Sequence, residues 1–242
     1  MTSTSTNRPE FVGAADPFEA RTSPRAADGA PGRGWAVAGV GAGLAGLVGI
    51  GASMQVDAVY DPSAEGDAGK IVDRLAEQVP QILVFHTATM IAVALTVVFA
   101  AGLQRRLRAQ APAQSLLPTV AASGLGLVTV AGLMGAGLTT EFVFGLAQDE
   151  QMVPESAAFF GHWVGTIPWL WMGAGLTGLA VAVAALRHAA APRWIGWVSV
   201  VLGGLTLLFG LSPLQYMAGM VGPLWLLVAA VGFTFGDRAR RA

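Results

Sequence analysis

The sequence predicts an all-α fold: a polytopic membrane bundle of six transmembrane helices, both termini cytoplasmic, with a disordered N-terminal tail. Three observations predict it. Hydrophobic residues make up 54% of the 242 residues and charged ones only 12%, about half the charged share of a soluble domain. The charges are clumped, which leaves six apolar runs near the ~20 residues that cross a hydrocarbon core about 30 Å thick. The basic residues fall almost wholly in one alternate set of connections.

The elements follow in order. Met1 to Gly34 is rich in Ser, Thr, Pro, Ala and Gly, with scattered charges of both signs, and has nothing with which to build a core. It is too long and polar to lead a secretory signal, and the run behind it is a full span rather than a short apolar region. The runs are Trp35–Met54, about Gln81–Leu103, Leu116–Leu138, Phe160–Leu186, Trp194–Leu211 and Tyr216–Phe235, within a membrane domain of residues 35–236. A short basic tail, 237–242, closes the chain. The fifth run is short. The fourth is long and contains Pro168, so a kinked or tilted helix is expected there. The runs are apolar all round, which fits neither barrel strands nor a water-soluble bundle.

Orientation comes from the arginines. Arg8, Arg21, Arg25 and Arg33 precede span one; Arg105, Arg106 and Arg108 follow span two; Arg187 and Arg193 flank the link after span four; Arg238, Arg240 and Arg241 end the chain. With six spans all twelve share one side, and only Lys70 and Arg74 lie on the other. Positive residues mark the cytoplasm, so both termini lie inside and the protein belongs to the plasma membrane. Asp57, Asp61, Glu65, Asp67, Asp73 and Glu77, then Glu141, Asp149, Glu150 and Glu155, make the outer connections acidic. Solubility of the loops accounts for them, and a cation-attracting vestibule is the sharper alternative. Within the first outer loop, Ile71, Leu75 and Val79 recur at helical spacing across Gly66–Val79, so an amphipathic helix lying on the membrane surface is expected, with Pro80 separating it from span two. Gly39 and Gly43, Gly161 and Gly165, and the looser group Gly132, Gly135 and Gly137 have small-residue spacing that suits close packing inside the bundle or in a homo-oligomer. Spans two and four both open near a histidine and close on Leu-x-Arg or Leu-Arg, a faint echo of two parallel hairpins.

Few residues carry chemistry. The absence of cysteine excludes disulfides, thiolate metal sites and cysteine nucleophiles, and the near-neutral net charge gives no field toward nucleic acid. The lipid bilayer is the expected partner, with a second copy of the chain or another membrane protein as the alternatives, and no cofactor is implied. Ionisable residues at membrane depth are functional candidates because burying them is costly. His86, Glu141 and His162 all fall near the outer ends of spans two, three and four, so they form the ligand or ion candidate, and the metal set if there is one. Alternatively Glu141 pairs with a histidine and staples helix ends. No His-Glu-x-x-His spacing is present. A haem between His86 and His162 is a further alternative. Ser123 lies about 27 Å along its helix from Glu141, too far for an outer histidine, and Ser53 is at the right depth but has no visible base. Trp35, Trp163, Trp194 and Trp197 suit an interfacial belt. Thr166, Pro168, Trp169 and Trp171 form a second candidate: a helix kink packed with aromatic rings that is also able to grip a solute.

Gly161-His162-Trp163-Val164-Gly165-Thr166-Ile167-Pro168-Trp169-Leu170-Trp171 and Ser212-Pro213-Leu214-Gln215-Tyr216 resemble segments of uncharacterised bacterial six-span membrane proteins from high-GC genomes. The resemblance covers the spans and not the tail, and implies no activity. The sequence therefore leaves three readings: a small transporter, channel or accessory subunit with a polar site near the outer surface; a structural or assembly protein without a ligand; and a metal- or haem-binding enzyme.

Overall fold

The computed structural model describes residues 32–147 and 153–236; most of the N-terminal tail, Asp149, Glu150 and the basic C-terminal tail lie outside them. Among the described residues there is no strand, and six helical segments are long and apolar enough to span: Gly34–Ser53, Val79–Arg108, Leu117–Leu146, Pro154–His188, Arg193–Leu211 and Gln215–Gly236. The all-α membrane bundle is the fold. Arg33 Nη1 donates to the Thr234 carbonyl at 2.9 Å, so the start of the first span and the end of the sixth meet at one end of the bundle, here called the terminal end.

Among the described residues there are ten α-helices, nine of them in the spans. Span one is α1 (Gly34–Ser53) and span two is α3 (Val79–Arg108). Helix α3 runs one turn beyond the expected Leu103, because arginine is a good helix former and Arg105, Arg106 and Arg108 sit where a helix C-terminus favours positive charge. Span three is α4 (Leu117–Gly135), a turn, and α5 (Thr139–Leu146). Span five is α8 (Arg193–Val198), a π-helical stretch over Ser199–Gly203, and α9 (Gly204–Leu211); span six contains α10 (Ala218–Val231). Helix α1 packs on α3 and α10, α3 on α4, and α4 on α7 (Met172–His188).

Close approaches fix these pairings. A Cβ on Gly43 would lie 2.7 Å from the Leu227 Cα, and one on Gly178 would lie 2.7 Å from the Gly203 Cα. At the α4–α7 contact the Thr177 hydroxyl donates to the Ala121 carbonyl at 2.8 Å. The small residues singled out in the sequence therefore pack within the chain, where Gly39 meets Phe99 and Ala230.

The fourth span departs from expectation. It is not one kinked helix from Phe160 but two helices: α6 (Pro154–Val164) and α7, separated by a 3₁₀ turn over Ile167–Trp169. Pro168 supplies the reason. It has no N–H to give to the carbonyl four residues earlier, that of Val164, and its ring excludes that carbonyl from the helical position. The excess length of the run is thereby absorbed at the other end of the bundle, away from the termini. There α6 packs against α2 (Ala68–Glu77) from the first long connection. Helix α2 is amphipathic as expected, capped by Asp67, whose side chain accepts from the Lys70 amide. Its apolar face is covered by protein rather than lying free: Leu75 is wholly buried among Ala157, Phe160, Phe142 and Ile82. Phe142 and Phe160 stack at 4.3 Å. The long connections thus build a cap with a hydrophobic core of its own, distinct from the larger core along the spans.

Candidate functional site

Helix α7 has 17 residues and rises about 25 Å, less than a hydrocarbon core about 30 Å thick, so it does not cross one alone. The interruption at 165–171 thus falls within the apolar run Pro154–His188 that is long enough to span, and within a bilayer, backbone without helical partners is tolerated only inside protein or beside a water-filled cavity. Side chains from the neighbouring spans take over the missing bonds. The Val164 carbonyl released by Pro168 accepts the Ser53 hydroxyl at 2.8 Å, and Ser53 Oγ in turn accepts Trp169 Nε1–H at 3.0 Å. Trp171 Nε1–H donates to the Pro168 carbonyl at 3.0 Å. Ser53 is 2% exposed, so its single hydroxyl at the end of α1 braces both sides of the break.

Glycine notches seat the broken segment. A Cβ on Gly135 of α4 would lie 2.6 Å from Pro168 Cγ, one on Gly219 2.9 Å from Trp169 Cα, and one on Gly222 2.7 Å from Trp171 Cβ. Any larger residue at these places displaces the segment.

Two spaces flank it. The larger is a cleft of about 510 Å³ at the cap side. It is walled by Ser53 at the end of α1, by Met54, Val56 and Tyr60 of the first connection, by Gly165, Thr166 and Trp169 of the break, by Pro213 of the last connection, and by Gln215 and Tyr216 at the start of span six. Trp169 is 8% exposed, whereas Tyr60 and Tyr216 are 57% and 46% exposed and stand at the mouth. Tyr60 leans over Gly165, whose Cβ position would be 2.6 Å from the phenolic oxygen. The second space is a void of about 20 Å³ between spans one to four, lined by Gly46, Thr89, Thr96, Thr129, Pro168 and Trp171 among others. It has room for about one water. The break thus presents Thr166 and Trp169 to the cleft, and Pro168 and Trp171 to the void.

The three ionisable candidates are placed apart from this geometry. His162 is exposed on α6 and meets the Tyr60 ring edge-on at 5.6 Å, so it touches the outside of the cleft wall. Glu141 is exposed on α5. His86 is half-buried on α3, and its Nδ1 has no hydrogen-bond partner. Among the described residues no hydrogen bond or ion pair joins Glu141 to either histidine, and no three His, Asp or Glu are grouped to hold a metal. The expected set of His86, Glu141 and His162 is therefore not assembled, either as a metal site or as a staple. Shared depth along three helices does not fix the rotation of each helix about its axis, so it does not by itself bring three side chains together.

Beside the cleft, Asp61 accepts from the Ser63 amide at 2.9 Å and the Ser63 hydroxyl at 2.8 Å, with Arg74 Nε at 3.5 Å. Those hydrogen bonds, then the arginine charge, hold its carboxyl below the usual carboxylate value. The Lys70 amide, followed by the lysine's side chain and charge, does the same for Asp67.

Of the candidate site residues named from the sequence, Thr166 and Trp169 line the cleft and Pro168 and Trp171 line the void; Tyr60, Gln215, Tyr216 and the bracing role of Ser53 are not among them. The available signal was Pro168 itself: a proline within a span frees a carbonyl that a neighbouring donor must satisfy. The two segments quoted for their resemblance to six-span proteins both contribute residues to the cleft wall. No protein-family model matches the chain, and neither a curated protein nor a solved structure matches it.

Proposed function

We propose that this protein is a small-solute transporter of the plasma membrane and that the cap-side cleft is its outward-facing binding site. One observation carries the reading: the fourth apolar span is broken within its length, and its unwound segment forms part of the cleft wall. Interrupted helices are a recurrent means of building a solute site within a bilayer, because they bring backbone polar groups and varied side chains to one concavity. The volume, about 510 Å³, lies within the usual range for small-molecule sites. The lining also has the usual composition, with apolar and aromatic walls and a few hydroxyl and amide groups from Ser53, Tyr60, Thr166, Gln215 and Tyr216. The arginine distribution makes the terminal end cytoplasmic, so the cleft opens outward. Below it, Trp169 and Trp171 close the way toward the threonine-lined void, as in a transporter resting with its outer side open.

Because the chain has no cysteine, one introduced thiol is an unambiguous reporter. Thr166→Cys is expected to react with a membrane-impermeant thiol reagent on intact cells, whereas Thr96→Cys, at a position 1% exposed, stays unreacted. A cysteine at 166 that reacts only after permeabilisation, or not at all, overturns the reading.

A further inference from the structure

We propose that the cleft takes a methylated ammonium head group. The inference rests on the reading of the cleft as a solute site and specifies its ligand.

The wall carries three aromatic side chains from three separate parts of the chain: Tyr60, Trp169 and Tyr216. It carries no lysine, arginine, histidine, aspartate or glutamate. An anion therefore meets no cationic fork, and the indole N–H that might serve it is already given to Ser53. A primary ammonium or bare metal ion is also poorly served, since each needs several strong acceptors to replace its water, and the wall offers no carboxylate. A methylated ammonium needs none. Its charge is spread over apolar methyl groups, and the electron-rich faces of tyrosine and tryptophan are its usual partners in proteins.

The surroundings favour the same sign. Among the described residues, the cleft-side connections and the helices adjoining them hold eight acidic residues against two basic ones, and Asp57 and Asp61 bracket the segment that delivers Tyr60. The Asp57 carboxylate accepts from Gln78 Nε2 at 2.6 Å, so it contributes its field near the cleft without entering the wall. Field and wall thus act at different ranges: the acidic connections concentrate cations, and the rings select which cation stays.

The test compares two thiol reagents of similar size at Thr166→Cys in purified protein: trimethylammonioethyl methanethiosulfonate and sulfonatoethyl methanethiosulfonate. Rates are measured in about 1 M salt, where a Debye length of about 3 Å removes the distant field. The expected cation-to-anion rate ratio exceeds that for 2-mercaptoethanol by about tenfold, and tetramethylammonium chloride slows the reaction. Tyr60→Leu and Tyr216→Leu are each expected to lower the ratio about two- to fivefold, whereas Tyr60→Phe and Tyr216→Phe keep it, because the ring is retained. Slower labelling in phosphatidylcholine nanodiscs than in maltoside micelles assigns the cationic head to a lipid; equal rates, with protection by tetramethylammonium, assign it to a free solute. A ratio equal to that of 2-mercaptoethanol, with both reagents reacting, overturns the cation inference and leaves the open cleft standing. A thiol that reacts with neither reagent removes the cleft reading as well.

Discussion

Replacing Ser53 with alanine tests how the break in span four is held. The serine hydroxyl makes two buried hydrogen bonds, donating to the Val164 carbonyl and accepting from the Trp169 indole. Alanine fits the same backbone and removes one oxygen, so steric effects are small. What remains is a buried carbonyl and a buried N–H, each short of its partner. An orphaned buried polar group costs about 1–3 kcal/mol. With partial relief from water entering the adjacent cleft, the expected loss is about 2–4 kcal/mol. Equilibrium unfolding in mixed micelles measures it, and tryptophan emission should shift to the red as Trp169 loosens. A double-mutant cycle sharpens the assignment. Trp169→Phe removes the indole N–H, so Ser53→Ala in that background no longer orphans it, and the two substitutions should couple by about 1–2 kcal/mol. A loss below about 0.5 kcal/mol together with zero coupling would refute the claim that this hydroxyl braces the break.

Three further outcomes follow. Gly203→Leu forces a side chain against the Gly178 backbone and should cost at least about 2 kcal/mol, whereas Gly126→Ala, with open space around it, should be neutral or stabilise by up to about 1 kcal/mol; both are read by unfolding in mixed micelles. The lowered pKa of Asp61 means that its contribution to the first connection is complete above the ordinary carboxylate pKa and is lost as pH falls through the lower folded value. Limited proteolysis near Tyr60 should therefore accelerate as pH drops from about 5 to about 2, and Asp61→Asn should show fast cleavage throughout that range. For topology, a single cysteine at Ser63 should label on intact cells and one at Ala109 only after permeabilisation; the reverse pattern would invert the orientation.

The spans were legible because the bilayer imposes a length and a composition that six runs meet. The cap was not. Its core joins Leu75, Phe142 and Phe160, which are far apart in sequence and individually unremarkable, and Phe160 reads as the start of a span rather than as part of a cap helix. The break was half legible: Pro168 announced a defect, but whether a proline bends a helix or interrupts it depends on which donors surround the freed carbonyl. Here the donor is Ser53, 111 residues away. The ionisable residues misled for the opposite reason. Depth along a helix can be counted from sequence, but the facing of each helix cannot, so His86, Glu141 and His162 share a level without sharing a site. Tyr60 lies in the first connection and Tyr216 in the 3₁₀ turn that opens span six, and their placement depends on the packing of the cap and of the last two spans. No local pattern marks them.

Everything proposed for the cleft depends on span four being interrupted and wetted at residues 165–171. Backbone hydrogen exchange, followed by mass spectrometry on the protein in nanodiscs, reports this directly. Amides in a continuous membrane-buried helix exchange very slowly, whereas unwound backbone beside a water-filled cavity exchanges fast. The account predicts rapid exchange at Thr166 and Ile167, with strong protection from about Leu176 to Ala185. Uniform protection from Ser156 through Ala185 would mean a single unbroken helix, and would contradict it.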